Sequence, residues 1–203
     1  MTVQPTKRKR TRQSPEQRRR QMLDAALQLF ATHGYDETGV GDIAASAGVA
    51  VGTVYLYFPS KEHLLSGLHT RFHQGLRRIF LDVGAELSER GERLSHAEAI
   101  ARLIDEMAVY MSAHRRYCNV VSRYAPRLLE SASEEDAATE DLLATMIRDG
   151  IERGAMYTSD SEMTARLIDA AVGHTMTEAA AQGEDLARLA AQAKEFLTKA
   201  LAP

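Results

Sequence analysis

Apolar residues recur along this chain three and four positions apart, the spacing that lines one side of an α-helix. Leu23, Ala26, Leu27 and Phe30, joined by Met22 and Leu29, form one such stripe, and positions 65, 68, 72, 76, 79, 83 and 87 form a longer one. Further segments of the same period fall at about residues 95–114, 117–129, 134–153, 161–181 and 185–201. No alternating β-branched run competes with them, and Ala, Leu, Glu and Arg, all strong helix formers, dominate the composition. The pattern predicts an all-α protein.

Punctuation residues refine the boundaries. Ser14-Pro15-Glu16-Gln17 is a helix start in which Ser caps, Pro suits the first turn and Gln17 reaches back. That helix runs to about residue 32 before Gly34, and Arg18, Arg19 and Arg20 fall on its polar side. Ser95-His96-Ala97-Glu98 repeats the capping pattern. Between residues 35 and 65 the periodicity shortens into two small helices, about 40–47 and 51–58. Gly48 suits the left-handed turn between them, Pro59 stops the second, and Ser60 caps the long helix that follows. Ile43, Ala44 and Ala47 on the first, and Val54 and Phe58 on the second, give each one small apolar face. Helices this short are marginal alone. They must pack on a third element, which leaves the outer side of residues 51–57 free to touch something else. Helix pairs joined in this way place a recognition helix in a DNA major groove, although ordinary packed hairpins share the outline.

The order of residues is more specific than the outline. Gly34-Tyr35, Asp42-Ile43-Ala44, Ala47-Gly48-Val49, Gly52-Thr53-Val54-Tyr55, Tyr57-Phe58, Ser60-Lys61-Glu62 and Leu64-Leu65 together resemble the DNA-binding domain of the TetR family of transcriptional regulators, in register over residues 16–76. The resemblance implies an N-terminal three-helix helix-turn-helix DNA-binding domain and a C-terminal helical bundle for ligand binding and dimerisation. The expected division is a basic arm over residues 1–13, a DNA-binding domain over 14–76 with its motif at about 39–58, and a second domain over 77–203. It also implies that Ala50, Val51, Gly52, Thr53, Tyr55 and Tyr57 face the groove and that Lys61 contacts backbone phosphate. Thr38 and Gly39 open the first short helix, whose amino end would aim free N–H groups at a phosphate. The chain departs from the family pattern where Gly39 and Ala50 replace hydroxyl residues and Val51 replaces a cation. Phosphate clamping there is correspondingly weaker, while the methyls of Ala50 and Val51 suit thymine methyls. Tyr55 can alternatively be a core residue with its hydroxyl at the edge.

Charge adds a second pointer. The net charge of −3 conceals eight Lys/Arg and one Glu in the first 20 residues, +7, against −10 over the remaining 183. Lys7, Arg8, Lys9, Arg10 and Arg12 lack apolar partners, so they read either as a solubilising tail or as an arm for phosphates and the minor groove. Cys118 is the only cysteine, no span is long and apolar enough for a membrane, and no leader pattern is present, which points to the cytoplasm.

The long helix, about residues 61–90 before Gly91, would reach from the DNA-binding domain into the second one, and its tilt is an obvious way to carry a ligand signal. Between it and the next three helices, Phe72, His73, Met107, Tyr110, Met111, His114, Tyr117, Tyr124 and Met146 supply soft and amphipathic side chains for a small, apolar effector, or for an ordinary core. The last two segments are rich in Ala, with Leu167, Ile168, Ala171, Val172, Met176, Leu186, Leu189, Phe196 and Leu197 as their apolar content. In the family the corresponding helices pair with their copies across a twofold axis, which implies a homodimer on a pseudo-palindromic operator. Closing the monomer core is the alternative.

Enzyme readings find less support. Gly39-Val40-Gly41-Asp42-Ile43-Ala44 fits a dinucleotide fingerprint but lacks the strands it needs. His69 and His73 could share a metal, yet no third ligand is evident, and Cys118 near His114 lies in no nucleophile motif. The expectation is a ligand-responsive repressor with no cofactor, with a constitutive DNA binder or a small metal-dependent enzyme as alternatives.

Overall fold

A computed structural model describes residues 14–89, 94–129 and 134–203. The basic arm and Gly91 lie outside the described residues. Among the described residues ten α-helices follow one another: α1 (Pro15–His33), α2 (Val40–Ser46), α3 (Val51–Tyr57), α4 (Lys61–Glu89), α5 (His96–Ala113), α6 (Arg115–Leu129), α7 (Glu134–Glu152), α8 (Ser161–Ile168), α9 (His174–Gln182) and α10 (Leu186–Ala200). Among the described residues there is no strand.

Both capping boxes form as expected. Ser14 Oγ accepts from Gln17 N while Gln17 Oε1 accepts from Ser14 N, and Ser95 and Glu98 do the same at α5. Ser60 behaves differently, because its hydroxyl meets His63 Nδ1 at 2.9 Å. One segment read as continuous is interrupted. Between α8 and α9, Asp169–Gly173 winds as a π-helical turn, which apolar periodicity alone does not reveal.

α1, α2 and α3 share a core in which Met22, Leu23, Ala26, Phe30, Ile43, Ala44, Ala47, Val54 and Phe58 are all buried. Gly48, at φ +63°, makes the turn between the short helices. α4 runs through the whole molecule: its buried stripe includes Leu64, Leu65, Leu68, Phe72, Leu76, Phe80, Val83 and Leu87, with Ile79 half-buried beside it. It packs against α1, α5, α6 and α7, while α6 lies on α9 and α1, α7 on α8, and α5 on α10. At ~1.5 Å per residue, the 29 residues of α4 reach ~44 Å, so one rigid rod joins the two ends of the fold.

Candidate nucleic-acid interface and effector cavity

α3 has only two inward anchors, Val54 and Phe58, and the Arg19 guanidinium covers the Phe58 ring at 4.9 Å. The rest of the helix looks out: Val51 is 43%, Tyr55 50% and Leu56 82% exposed, with Ala50 and Gly52 exposed and Thr53 half-buried. Tyr55 is therefore not a core residue. Tyr57 is half-buried and packs against the core. Leu56, the most outward side chain, was not among the expected groove residues. Its signal was available, since at 100° per residue it lies about 200° around the helix from buried Val54.

Two other expectations need correction. Thr38 is buried, its hydroxyl donates to Gly34 O at 2.7 Å and its N–H to Tyr35 O at 3.3 Å, so neither group is free for phosphate. Lys61 points inward, with Nζ donating to Tyr35 O at 2.8 Å, Thr38 O at 3.2 Å and Asp36 O at 3.3 Å, and lying 4.4 Å from the centre of the Tyr35 ring. Carbonyls in the turn after α1 have no helical partners, and the ammonium satisfies three of them. Gly39 does open α2, where Asp42 Oδ2 accepts its N–H at 3.0 Å and supplies an acidic first turn in place of the missing hydroxyl. That carboxylate makes the amino end of α2 a poorer phosphate site.

Two hollows adjoin Phe72 and Tyr117, whose rings stack at 4.0 Å. The inner one, about 290 Å³, is lined by Phe72, His73, Met107, Met111 and Tyr117 of the expected set. The outer cleft, about 610 Å³, lies between α1 and α4–α6 and takes in Tyr110 and His114. Met146 lines neither hollow and is buried in the core, and Tyr124 instead faces the end of α1. The sequence reading also missed Asp169, Gly173 and His174, which reach the inner hollow from the π turn and the start of α9. Gly75 is required where Tyr110 crosses α4 to donate to Phe72 O at 3.0 Å, because a Cβ at that position would stand 2.0 Å from the Tyr110 hydroxyl. Gly75→Ala should displace Tyr110 and lower stability by about 1–3 kcal/mol, measured by urea unfolding.

The His69 and His73 rings lie tilted at 43° with centres 4.1 Å apart, and His69 Nδ1 lies 2.7 Å from the Tyr117 hydroxyl. Among the described residues, no group of three His, Cys, Asp or Glu side chains could hold a metal ion. Burial pushes the Cys118 thiol up to about 11, so it stays protonated at neutral pH and is a poor nucleophile.

Of the expected dimer residues, Val172, Met176, Leu186 and Leu197 are buried within their own chain, and Ile168 and Leu189 are half-buried against its core. α9 must cover α6 and α5, and α10 must cover α5, which draws these side chains inward. The outward apolar set is smaller: Leu167 at 62%, Phe196 at 64%, exposed Ala171, and Met163 at 50%, which was not anticipated.

A short two-anchor helix, presented outward from a three-helix core and fixed to a long rod, is the arrangement of a helix-turn-helix unit. Residues 22–68 match the family model for bacterial regulatory proteins, tetR family. Over these residues the chain carries the DNA-binding domain of that family. It is 35% identical over 94 residues to the fatty acid metabolism regulator protein of Bacillus subtilis (strain 168), covering 46% of this chain and 42% of that protein. The chain thus spans less than two thirds of the length of the curated relatives it matches. Among solved structures, the fatty acid degradation regulator FadR from Bacillus halodurans shares 25% identity at a TM-score of 0.71, over 92% of this chain and 96% of that one. FadR from Bacillus subtilis in complex with stearoyl-CoA shares 26% at 0.66, over 88% and 96%. No single helix among the described residues is long and apolar enough to cross a membrane.

Proposed function

We propose that this protein is a ligand-responsive repressor without enzymatic activity, acting in the cytoplasm as a homodimer on a pseudo-palindromic operator and released by a small apolar effector. The outward surface of α3 carries the reading. Val51, Gly52, Tyr55 and Leu56 are exposed on a helix whose only buried members are Val54 and the adjoining Phe58, and a monomer gains nothing from displaying them. Thr53 and Tyr55 supply hydrogen bonds to bases or phosphate, and Ala50 and Val51 supply methyl contacts. With Lys61 turned inward, Arg18–Arg20 and the basic arm over residues 1–13 provide the phosphate attraction.

The inner cavity supports an effector, and the stearoyl-CoA complex of a relative suggests that a fatty acyl chain is the class to try first. Ligand that binds better to the DNA-released arrangement shifts the population toward it. A constitutive binder would have no use for this hollow. In fluorescence anisotropy on a selected operator duplex, Thr53→Ala/Tyr55→Ala should lose at least about 10-fold in affinity, on the order of one good base contact, with unchanged thermal stability. Equal affinity of the double variant and the parent would remove α3 from the interface.

A further inference from the structure

The two hollows beside Phe72 differ in the sign of their charge. Among the described residues that line the inner one, Asp169 and Glu178 are carboxylates and none is Lys or Arg. The outer cleft, about 610 Å³ and within the ~300–1,000 Å³ usual for small-molecule sites, is lined by Arg71, Arg115 and Arg116 against one carboxylate, Asp24. Three guanidiniums thus border one concavity of a chain whose net charge is −3. Low-dielectric walls focus such a field, so the cleft attracts anions although the chain as a whole is acidic.

Most of the donors on these arginines have no protein partner among the described residues. A guanidinium holds five N–H groups in a planar fork. Arg71 donates from Nη1 to Asp24 Oδ1 at 2.7 Å, Arg115 donates from Nη2 to Glu184 O at 3.2 Å, and Arg116 has no hydrogen bond or ion pair among the described residues. Beside them the lining is aromatic. Phe72 stacks on Tyr117 at 4.0 Å, and the Tyr110 and His114 rings lie 4.0 Å apart. The Tyr110 hydroxyl donates to Phe72 O at 3.0 Å and His114 Nδ1 to Tyr110 O at 2.8 Å, so with those polar atoms engaged the rings contribute mainly apolar surface.

We propose that the outer cleft is a second ligand site, for a phosphate monoester whose organic part is aromatic or apolar. The phosphate oxygens meet the guanidinium forks, Arg116 foremost because it is uncommitted, and the organic part lies against the rings. Free phosphate satisfies only the first half of that arrangement, which makes the ester the better ligand. Asp24 is the competitor, since an anion on Arg71 meets the carboxylate already paired with it. Removing that carboxylate therefore strengthens the site, whereas removing an arginine weakens it. The proposal does not rest on the repressor reading, because neither DNA nor an occupant of the inner hollow takes part.

The test is isothermal titration calorimetry on the full chain without DNA, at constant ionic strength, with phenyl phosphate, inorganic phosphate and phenol. Phenyl phosphate should saturate with a Kd of about 1 mM or tighter, inorganic phosphate should bind at least about threefold more weakly, and phenol should not bind. Arg116→Gln, a change at an exposed side chain that leaves the core intact, should lose at least about 10-fold, and Arg71→Gln should change in the same direction. Asp24→Asn should tighten binding about threefold. Asp82→Asn, which removes an exposed carboxylate elsewhere on α4 and alters the net charge equally, should leave Kd unchanged. Equal affinity for both phosphates would overturn the ester, and phenol binding as tightly as phenyl phosphate would overturn the anion. The site itself is overturned if neither phosphate saturates, if Arg116→Gln binds as the parent does, if Asp24→Asn changes nothing, or if both carboxylate variants tighten equally.

Discussion

A chain carrying both Leu167→Glu and Phe196→Glu is expected to sediment as a monomer and to lose about 100-fold or more in affinity for a pseudo-palindromic operator. Leu167 and Phe196 are the two most exposed apolar side chains of α8 and α10, 62% and 64%, and two carboxylates facing their own copies across a twofold axis would repel where apolar contact is proposed. Linking two recognition helices makes the second contact intramolecular at an effective concentration on the order of millimolar, and this alone raises affinity by about 10²–10⁴-fold. The monomer forfeits that factor with both α3 surfaces intact. Sedimentation velocity alongside anisotropy separates the effects, and a variant that remains dimeric with full affinity would move the interface elsewhere.

The second large effect is on folding. Phe58→Ala should cost about 3–5 kcal/mol, the range for truncating a buried aromatic. Phe58 is one of two inward anchors for a seven-residue helix, it carries the Arg19 guanidinium at 4.9 Å, and its ring lies within 3.0 Å of the position a Cβ on Gly67 of α4 would take. On α3 only Val54 is fully buried beside it, and Val54 is too small to refill the space. Thermal unfolding followed by circular dichroism should show a lower midpoint, and operator binding should weaken further as α3 loses its seat. A loss below about 1 kcal/mol would mean that α3 is held mainly by its turns.

Much of this was readable in the sequence because each apolar face is short and unambiguous. Ile43, Ala44 and Ala47 against Val54 and Phe58 left one way to bury both small helices, and both capping boxes announced their helices. The π turn at Asp169–Gly173 escaped because inserting one residue per turn rotates a helix face without breaking its apolar composition. Lys61 escaped for another reason. Its phosphate contact was implied by the family resemblance, and only the fold shows that three turn carbonyls take the ammonium. Tyr124 was expected at the cavity as one more amphipathic side chain between the long helix and the next three, and apolar periodicity does not reveal that α6 reaches the end of α1.

The repressor proposal turns on whether the outward side of α3 reads duplex sequence in pairs. Repeated selection of bound molecules from a pool of random duplexes, using the full chain and in parallel the Thr53→Ala/Tyr55→Ala variant, tests this most directly. The account predicts that the parent enriches an inverted repeat whose half-sites lie about one helical turn apart or a multiple of it, and that the variant loses that motif. Enrichment of no motif, of an isolated half-site, or of the same repeat by both proteins would contradict it.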